Sequence, residues 1–130
     1  MNKPEITFTV IKEDTGYGAF TIANDRHIFT QGATFDELKE QIIDAVNLTF
    51  EDLGFVYAID EIKFTLDLES FFDFYKVINA KALSKRIGMN QSLLAQYING
   101  SKKPSPRQTA RILTGVQQIG RELAEIRFML

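Results

Sequence analysis

The sequence predicts an α+β protein, in which a small β-β-β-α-β antiparallel sheet with one helix is followed by an all-α domain. Three features of the pattern carry this. Apolar and polar residues alternate in short runs before residue 33 and again over 61–68, the period of a half-buried strand. Over 34–53 apolar residues recur every three or four positions, the period of an amphipathic helix. From Ser70 onward only the helical period is found. With 130 residues available, two small domains are expected, at 1–69 and 70–130, joined without a flexible linker.

Residues 5–12 set Ile6, Phe8 and Val10 on one face and Thr7 and Thr9 on the other, as a half-buried strand requires. Glu13-Asp14-Thr15-Gly16 makes a turn, 17–23 a second strand, Asn24-Asp25 another turn, and His27–Thr30 a short third strand. Thr34 then caps a helix, with Glu37 at the position that completes a capping box. Its stripe is Phe35, Leu38, Ile42, Val46, Phe50 and Leu53, and Gly54 is its expected stop. Residues 61–68 form the fourth strand, with Ile62, Phe64, Leu66 and Leu68 inward. Helices are expected at 71–78, 80–88, 91–99 and 106 to about 127. The aromatic residues at 71, 72, 74 and 75 read as the core of the first C-terminal helix, not as a base-stacking platform.

Charge divides the chain more sharply than its net −2 implies. Residues 1–75 hold five basic and fifteen acidic side chains, a balance of −10; residues 76–130 hold ten basic side chains against Glu122 and Glu125, a balance of +8. A basic half suits a phosphate backbone, and an acidic half repels one. Mutual attraction of the two halves is the simpler reading of the same numbers. There is no cysteine, hence no disulfide and no thiolate metal site. No uncharged apolar run reaches spanning length, and MNKPEITF lacks a signal-peptide core, so a cytoplasmic protein with no membrane partner is expected.

Residues 83–100 carry the most specific pattern. Leu83, Ile87, Met89, Leu94 and Tyr97 or Ile98 fall where two crossed helices bury their contact; Ser84 is small at the crossing, and Gly88 suits a tight turn. Asn90 is placed to cap the second helix and Gly100 to stop it. This is the spacing of a helix-turn-helix, whose second helix enters the major groove by its N-terminal end. Asn90, Gln91, Ser92, Ala95 and Gln96 are then the residues expected at the bases, since Gln pairs with adenine and Ser bonds several base edges. Lys102, Lys103 and Arg107 follow where phosphates would lie. Ser105, Pro106 and Gln108 open the next helix with a serine cap and proline at its first position. An ordinary helix–helix turn in a bundle is the competing reading. The stretch resembles the Xre/Cro-type repressors, with Leu83-Ser84, Gly88, Leu94, Asn99-Gly100 and Pro104-Ser105 at the family's positions and serine where alanine is usual.

The final stripe of Val116, Ile119, Leu123, Ile126 and Met129-Leu130 is either a surface for a homodimer or higher homo-oligomer, or packs on its own domain. The β-β-β-α-β order, with Gly16-Tyr17 entering the second strand and residues 30–38 leading into the helix, resembles HicB family antitoxins. Ala23-Asn24-Asp25-Arg26-His27 stands where that family usually has Pro-Asp-Leu-Pro-Gly. The resemblance implies a degenerate RNase-H-like domain that binds a small basic HicA-like toxin ribonuclease, and a second domain that represses the operon by binding operator DNA. An acidic domain complements a polyanion-binding toxin in charge. A stand-alone transcription regulator with a ligand-sensing or oligomerising first domain is the alternative.

A metal-dependent nuclease is the third reading, and the residues speak against it. Such chemistry needs converging carboxylates, yet there is no Asp or Glu between Ile6 and Ile11. Asp14 falls in a turn, and Asp67 on the polar face of a strand. His27, the single histidine, reads as a surface or edge residue. No catalytic residue, metal or cofactor is therefore expected.

Overall fold

The alternation read in the sequence reappears as alternating burial. Ile6, Phe8 and Val10 on β1 (Ile6–Lys12) are buried, as are Tyr17, Ala19, Thr21 and Ala23 on β2 (Tyr17–Ala23). Among residues 2–130, which the computed structural model describes, the chain is α+β, with a four-stranded sheet and five α-helices. It divides into two compact units, one ending at Phe74 and the other covering Tyr75–Leu130.

In the first unit β1 and β2 pair antiparallel, and so do β2 and β3 (Arg26–Gly32). Asn24 and Asp25 both have positive φ, 49° and 61°, and join Ala23 to its register partner Arg26. That is the two-residue loop whose twist matches paired strands. β3 is longer than the expected His27–Thr30, because it stays in register with β2 over the full length from Ala23–Arg26 to Tyr17–Gly32.

The sheet is mixed, which corrects the expected antiparallel one. After two hairpins β3 runs in the direction of β1. Helix α1 (Phe35–Thr49) then carries the chain back across one face, so β4 (Ile62–Leu66) starts from the same end as β1. β4 takes the free side of β1 in parallel, pairing Ile6–Ile62 through Val10–Leu66, in the order β3-β2-β1-β4. A helical crossover produces parallel pairing where a tight turn cannot.

Thr34 caps α1, its hydroxyl accepting from the Glu37 amide at 3.1 Å. Leu38, Ile42, Val46 and Phe50 are wholly buried against the sheet's inner side chains. Burial of each stabilises the unit by roughly 1.5–3 kcal/mol. The helix ends at Thr49, short of the expected 53, and a 3-10 turn over Glu51–Leu53 carries the stripe on to Gly54.

Phe71, Phe72 and Phe74 also fall in this unit, which runs past the boundary expected at Glu69-Ser70, and their helix stops well short of the expected 78; Tyr75 opens the second unit. Asp67 stops β4 and starts α2 (Leu68–Phe74): its Oδ1 accepts from the Ser70 amide at 2.8 Å. Phe74 stacks on Phe35 with ring centroids 4.0 Å apart, and meets Tyr17 edge-on at 4.4 Å. Of the aromatic residues expected as core, Phe72 is buried and Phe74 packs against the core of the sheet unit, whereas Tyr75 is 41% exposed.

The second unit consists of α3 (Ala80–Ile87), α4 (Gln91–Ile98) and α5 (Pro106–Glu125). Leu83, Met89, Leu94, Tyr97 and Ile112 are its buried apolar residues. Tyr97, not Ile98, is the more buried of the two residues left open by the sequence.

Candidate nucleic-acid interface

Helices as short as α3 and α4 do not hold alone in water, so their ends and their contact must fix them. Asn79 caps α3 by accepting from the Ala82 amide at 3.0 Å, and Asn90 caps α4 by accepting from the Leu93 amide at 3.1 Å. Between them Gly88 has φ of 68°, and the Met89 amide returns to the Ser84 carbonyl at 2.9 Å. This left-handed closure turns the chain within Gly88, Met89 and Asn90. Ser84 is 1% exposed where the helices meet, and its hydroxyl donates to the Lys81 carbonyl at 2.6 Å. A small polar residue is thus buried with its hydrogen bond satisfied.

With Leu94 and Tyr97 turned inward, α4 presents Gln91, Ser92, Ala95 and Gln96 together on its exposed side. These positions share a face by helical spacing. Asn90 is exposed at the start of the same face, but its side-chain oxygen is occupied by the cap. The loop after α4 folds back, the Lys102 amide donating to the Gln96 carbonyl at 3.2 Å and the Ser101 amide to Asn99 Oδ1 at 2.9 Å. Lys102, Lys103 and Arg107 are exposed, and none is paired with a carboxylate among the described residues. Ser105 caps α5 by accepting from the Gln108 amide at 3.2 Å, with Pro106 at the first helical position.

Two arginines that the sequence pattern did not single out have structural roles. Arg111 donates through Nε and a terminal nitrogen to the Ile87 carbonyl, at 3.2 and 2.8 Å, and to the Gly88 carbonyl at 2.7 Å. It ties α5 to the C-terminal end of α3, where a cation also suits the helix dipole. Arg86 pairs with Glu122, and this hydrogen bond holds the Glu122 carboxyl below its ordinary value. An open groove of about 720 Å³ runs along the start of α5, lined by Ile87, Ser105, Arg107, Arg111 and Gly115 among others. The arginines of this unit are therefore divided between holding its helices and facing solvent, a division that spacing along the chain does not reveal.

The stripe along α5 is covered only at its beginning. Ile112 is fully buried, Val116 and Ile119 are half-buried, and Leu123 and Ile126 are 63% and 57% exposed. The helix ends at Glu125, before the expected 127. The apolar repeat thus continues past the reach of the unit's own core.

In the first unit several carboxylates are held by cations. Arg26 bonds Asp52 through both terminal nitrogens, at 2.6 and 3.0 Å, and the same group donates to the Thr49 carbonyl at the end of α1. That hydrogen bond holds the Asp52 carboxyl below its ordinary value. Lys3 bonds Glu61 at 2.7 Å and lowers it likewise, with help from the Ala58 amide. Asp14 is exposed in its turn, and Asp67 serves as a helix cap. No three His, Asp or Glu side chains gather to hold a metal ion among the described residues. His27 is exposed on β3. No helix among the described residues is long and apolar enough to cross a membrane. No model of a known protein family, no curated protein and no solved structure matches this chain.

Proposed function

We propose that this chain is the antitoxin of a type II toxin–antitoxin system. Its second unit binds operator DNA and represses its own operon, and its first unit neutralises a small basic HicA-like ribonuclease that cleaves mRNA. The observation that carries the reading is the solvent-facing row of Gln91, Ser92, Ala95 and Gln96 on a short helix fixed by a three-residue turn, flanked by the unpaired Lys102, Lys103 and Arg107. A helix of this size fits the major groove, amides and hydroxyls read base edges, and lysines and arginines hold phosphates without reading sequence.

The charge division supports assigning separate tasks to the two units. The unit ending at Phe74 carries fifteen acidic and five basic side chains, and Tyr75–Leu130 carries ten basic and two acidic. A polyanion such as DNA is attracted to the second and repelled by the first. A toxin that grips RNA is itself basic, and the first unit complements it. The uncovered end of the α5 stripe supports a homodimer, or a higher homo-oligomer, reading two half-sites. On this reading the chain is not an enzyme, needs no cofactor and works in the cytoplasm.

Co-expression tests the reading. The chain should copurify with the product of a small basic reading frame beside its own gene and rescue growth inhibited by that product, and it should retard the DNA upstream of the gene. DNA binding with neither copurification nor rescue would leave a stand-alone regulator and overturn the antitoxin reading. Loss of DNA binding as well would overturn both.

A further inference from the structure

The sheet of the first unit has two faces, and its own helix α1 covers one. On the other, Ile11 is 48% exposed, Phe20 42%, Ile22 62% and Phe29 64%. Register makes these a patch: Phe20 and Phe29 are direct cross-strand partners, and Ile22 adjoins them one pair along, opposite His27. Contiguous exposed apolar area of this kind marks an interaction surface, whereas isolated exposed apolar residues do not.

The placement of charge around the patch is as informative. None of the outward positions on β1, β2 and β3 is Asp, Glu, Lys or Arg, although the unit holds fifteen acidic and five basic side chains. Carboxylates stand instead toward the ends of the strands: Asp14 and Asp25 are exposed in the two turns, and Glu13 folds its carboxylate back over Gly18, where Gln31 donates to it at 3.4 Å. An apolar centre depleted of charge, within a polar rim, is the anatomy of a protein interface.

We infer that the outer face of the sheet is the docking surface for a basic protein. Phe20, Ile22, Phe29 and Ile11 supply the apolar contact, and Glu13, Asp14 and Asp25 meet lysines or arginines at its edge. The inference deepens the antitoxin reading and rests on it, since the occupant is the small basic toxin. Charge selects this occupant over the others. A second copy would bring two acidic rims together across the patch, and nucleic acid or an anionic lipid surface would meet the same repulsion.

The test uses the full chain, the Ile22→Thr/Phe29→Thr double variant and the Asp14→Asn/Asp25→Asn double variant. Each is titrated with the small basic protein of the co-expression assay. Threonine keeps the β-branched preference of a strand, so melting temperature and binding to the upstream DNA should stay at wild-type values. The apolar variant should bind about tenfold more weakly or worse. The rim variant should associate more slowly, with a smaller dependence on salt.

Equal affinity of the wild type and the apolar variant would overturn the surface and leave the antitoxin reading standing. Absence of binding by the wild type would overturn both. A wild-type dimer that the apolar variant dissociates would assign the face to a second copy and overturn the inference. Should the apolar variant melt early, the rim variant decides, and association unchanged in rate and salt dependence would overturn the inference.

Discussion

Arg26 and Asp52 form a two-pronged ion pair, at 2.6 and 3.0 Å, that fastens the start of β3 to the turn following α1. The same guanidinium donates to the Thr49 carbonyl and lies over the Phe50 ring, 5.4 Å from its centroid. One side chain therefore satisfies an orphan carbonyl of the helix and holds the loop that follows it. Arg26 opens β3 directly after the Asn24-Asp25 turn, and its local role is to close the sheet unit.

Replacing Arg26 with alanine should lower the melting temperature, and the size of the loss should depend on pH. The arginine depresses the Asp52 carboxyl in the folded state below its ordinary value of 3.8. A depressed carboxyl contributes stability above its unfolded value and loses it as pH falls through the folded one. The difference in melting temperature between wild type and Arg26→Ala should thus be full near neutrality and shrink below the ordinary value. Thermal melts from about pH 6 down to about pH 2 check this. A difference independent of pH would assign the loss to the Thr49 and Phe50 contacts alone.

Gly115 sets the closeness of α3 and α5. A Cβ built on it would collide with the Ile87 side chain and lie 3.8 Å from Leu83 Cδ1. Gly115→Ala should raise helix propensity yet destabilise the second unit by about 1–3 kcal/mol, because the forced displacement outweighs the propensity gain. Urea melts followed by circular dichroism read the change. A stabilised variant would mean that Ile87 moves aside at little cost.

Much of this architecture was legible because local patterns agreed with tertiary demands. Thr34, Asn90 and Ser105 cap the helices they precede in the sequence, and Leu38, Ile42 and Val46 bury the face their spacing indicates. What was not legible depends on partners distant in the chain. The parallel pairing of β4 with β1 is decided by the path of α1, not by the residues of β4, which alternate in either direction. The aromatic residues after Ser70 read as one helix, but the assignment of Phe74 to the sheet unit depends on Phe35 and Tyr17, far back in the chain. At the candidate site the exposed face of α4 followed from helical period, whereas the anchoring role of Arg111 needed the carbonyls of Ile87 and Gly88 in place.

Base reading and phosphate holding should separate under mutation. Gln91→Ala removes an exposed amide from the first turn of α4 and leaves the Asn90 cap intact. It should weaken specific binding to the upstream DNA by about 1–3 kcal/mol and relax preference at one position. Lys102→Ala should weaken binding to all sequences alike and reduce the salt slope by about one. Fluorescence anisotropy with specific and scrambled duplexes over a range of salt distinguishes the two. If Gln91→Ala binds both duplexes as the wild type does, α4 is not the reading helix.

The end of the α5 stripe makes a prediction about assembly. Leu123 is 63% exposed, so it contributes little to the core of its own unit, while the spacing of Val116, Ile119, Leu123 and Ile126 alternates by three and four as in a helix-pairing seam. A glutamate there would place a charge at the centre of any seam shared with a second copy, at a position where the isolated unit tolerates it. Leu123→Glu should therefore shift the chain toward monomer in sedimentation experiments with little change in the monomer's far-ultraviolet circular dichroism. It should also abolish cooperative binding to a two-half-site duplex while leaving weak binding to a single half-site, because each copy keeps its own α4. A wild type that sediments as a monomer at every concentration, and binds the full site without cooperativity, would remove α5 as the pairing surface and leave its exposed stripe to another partner.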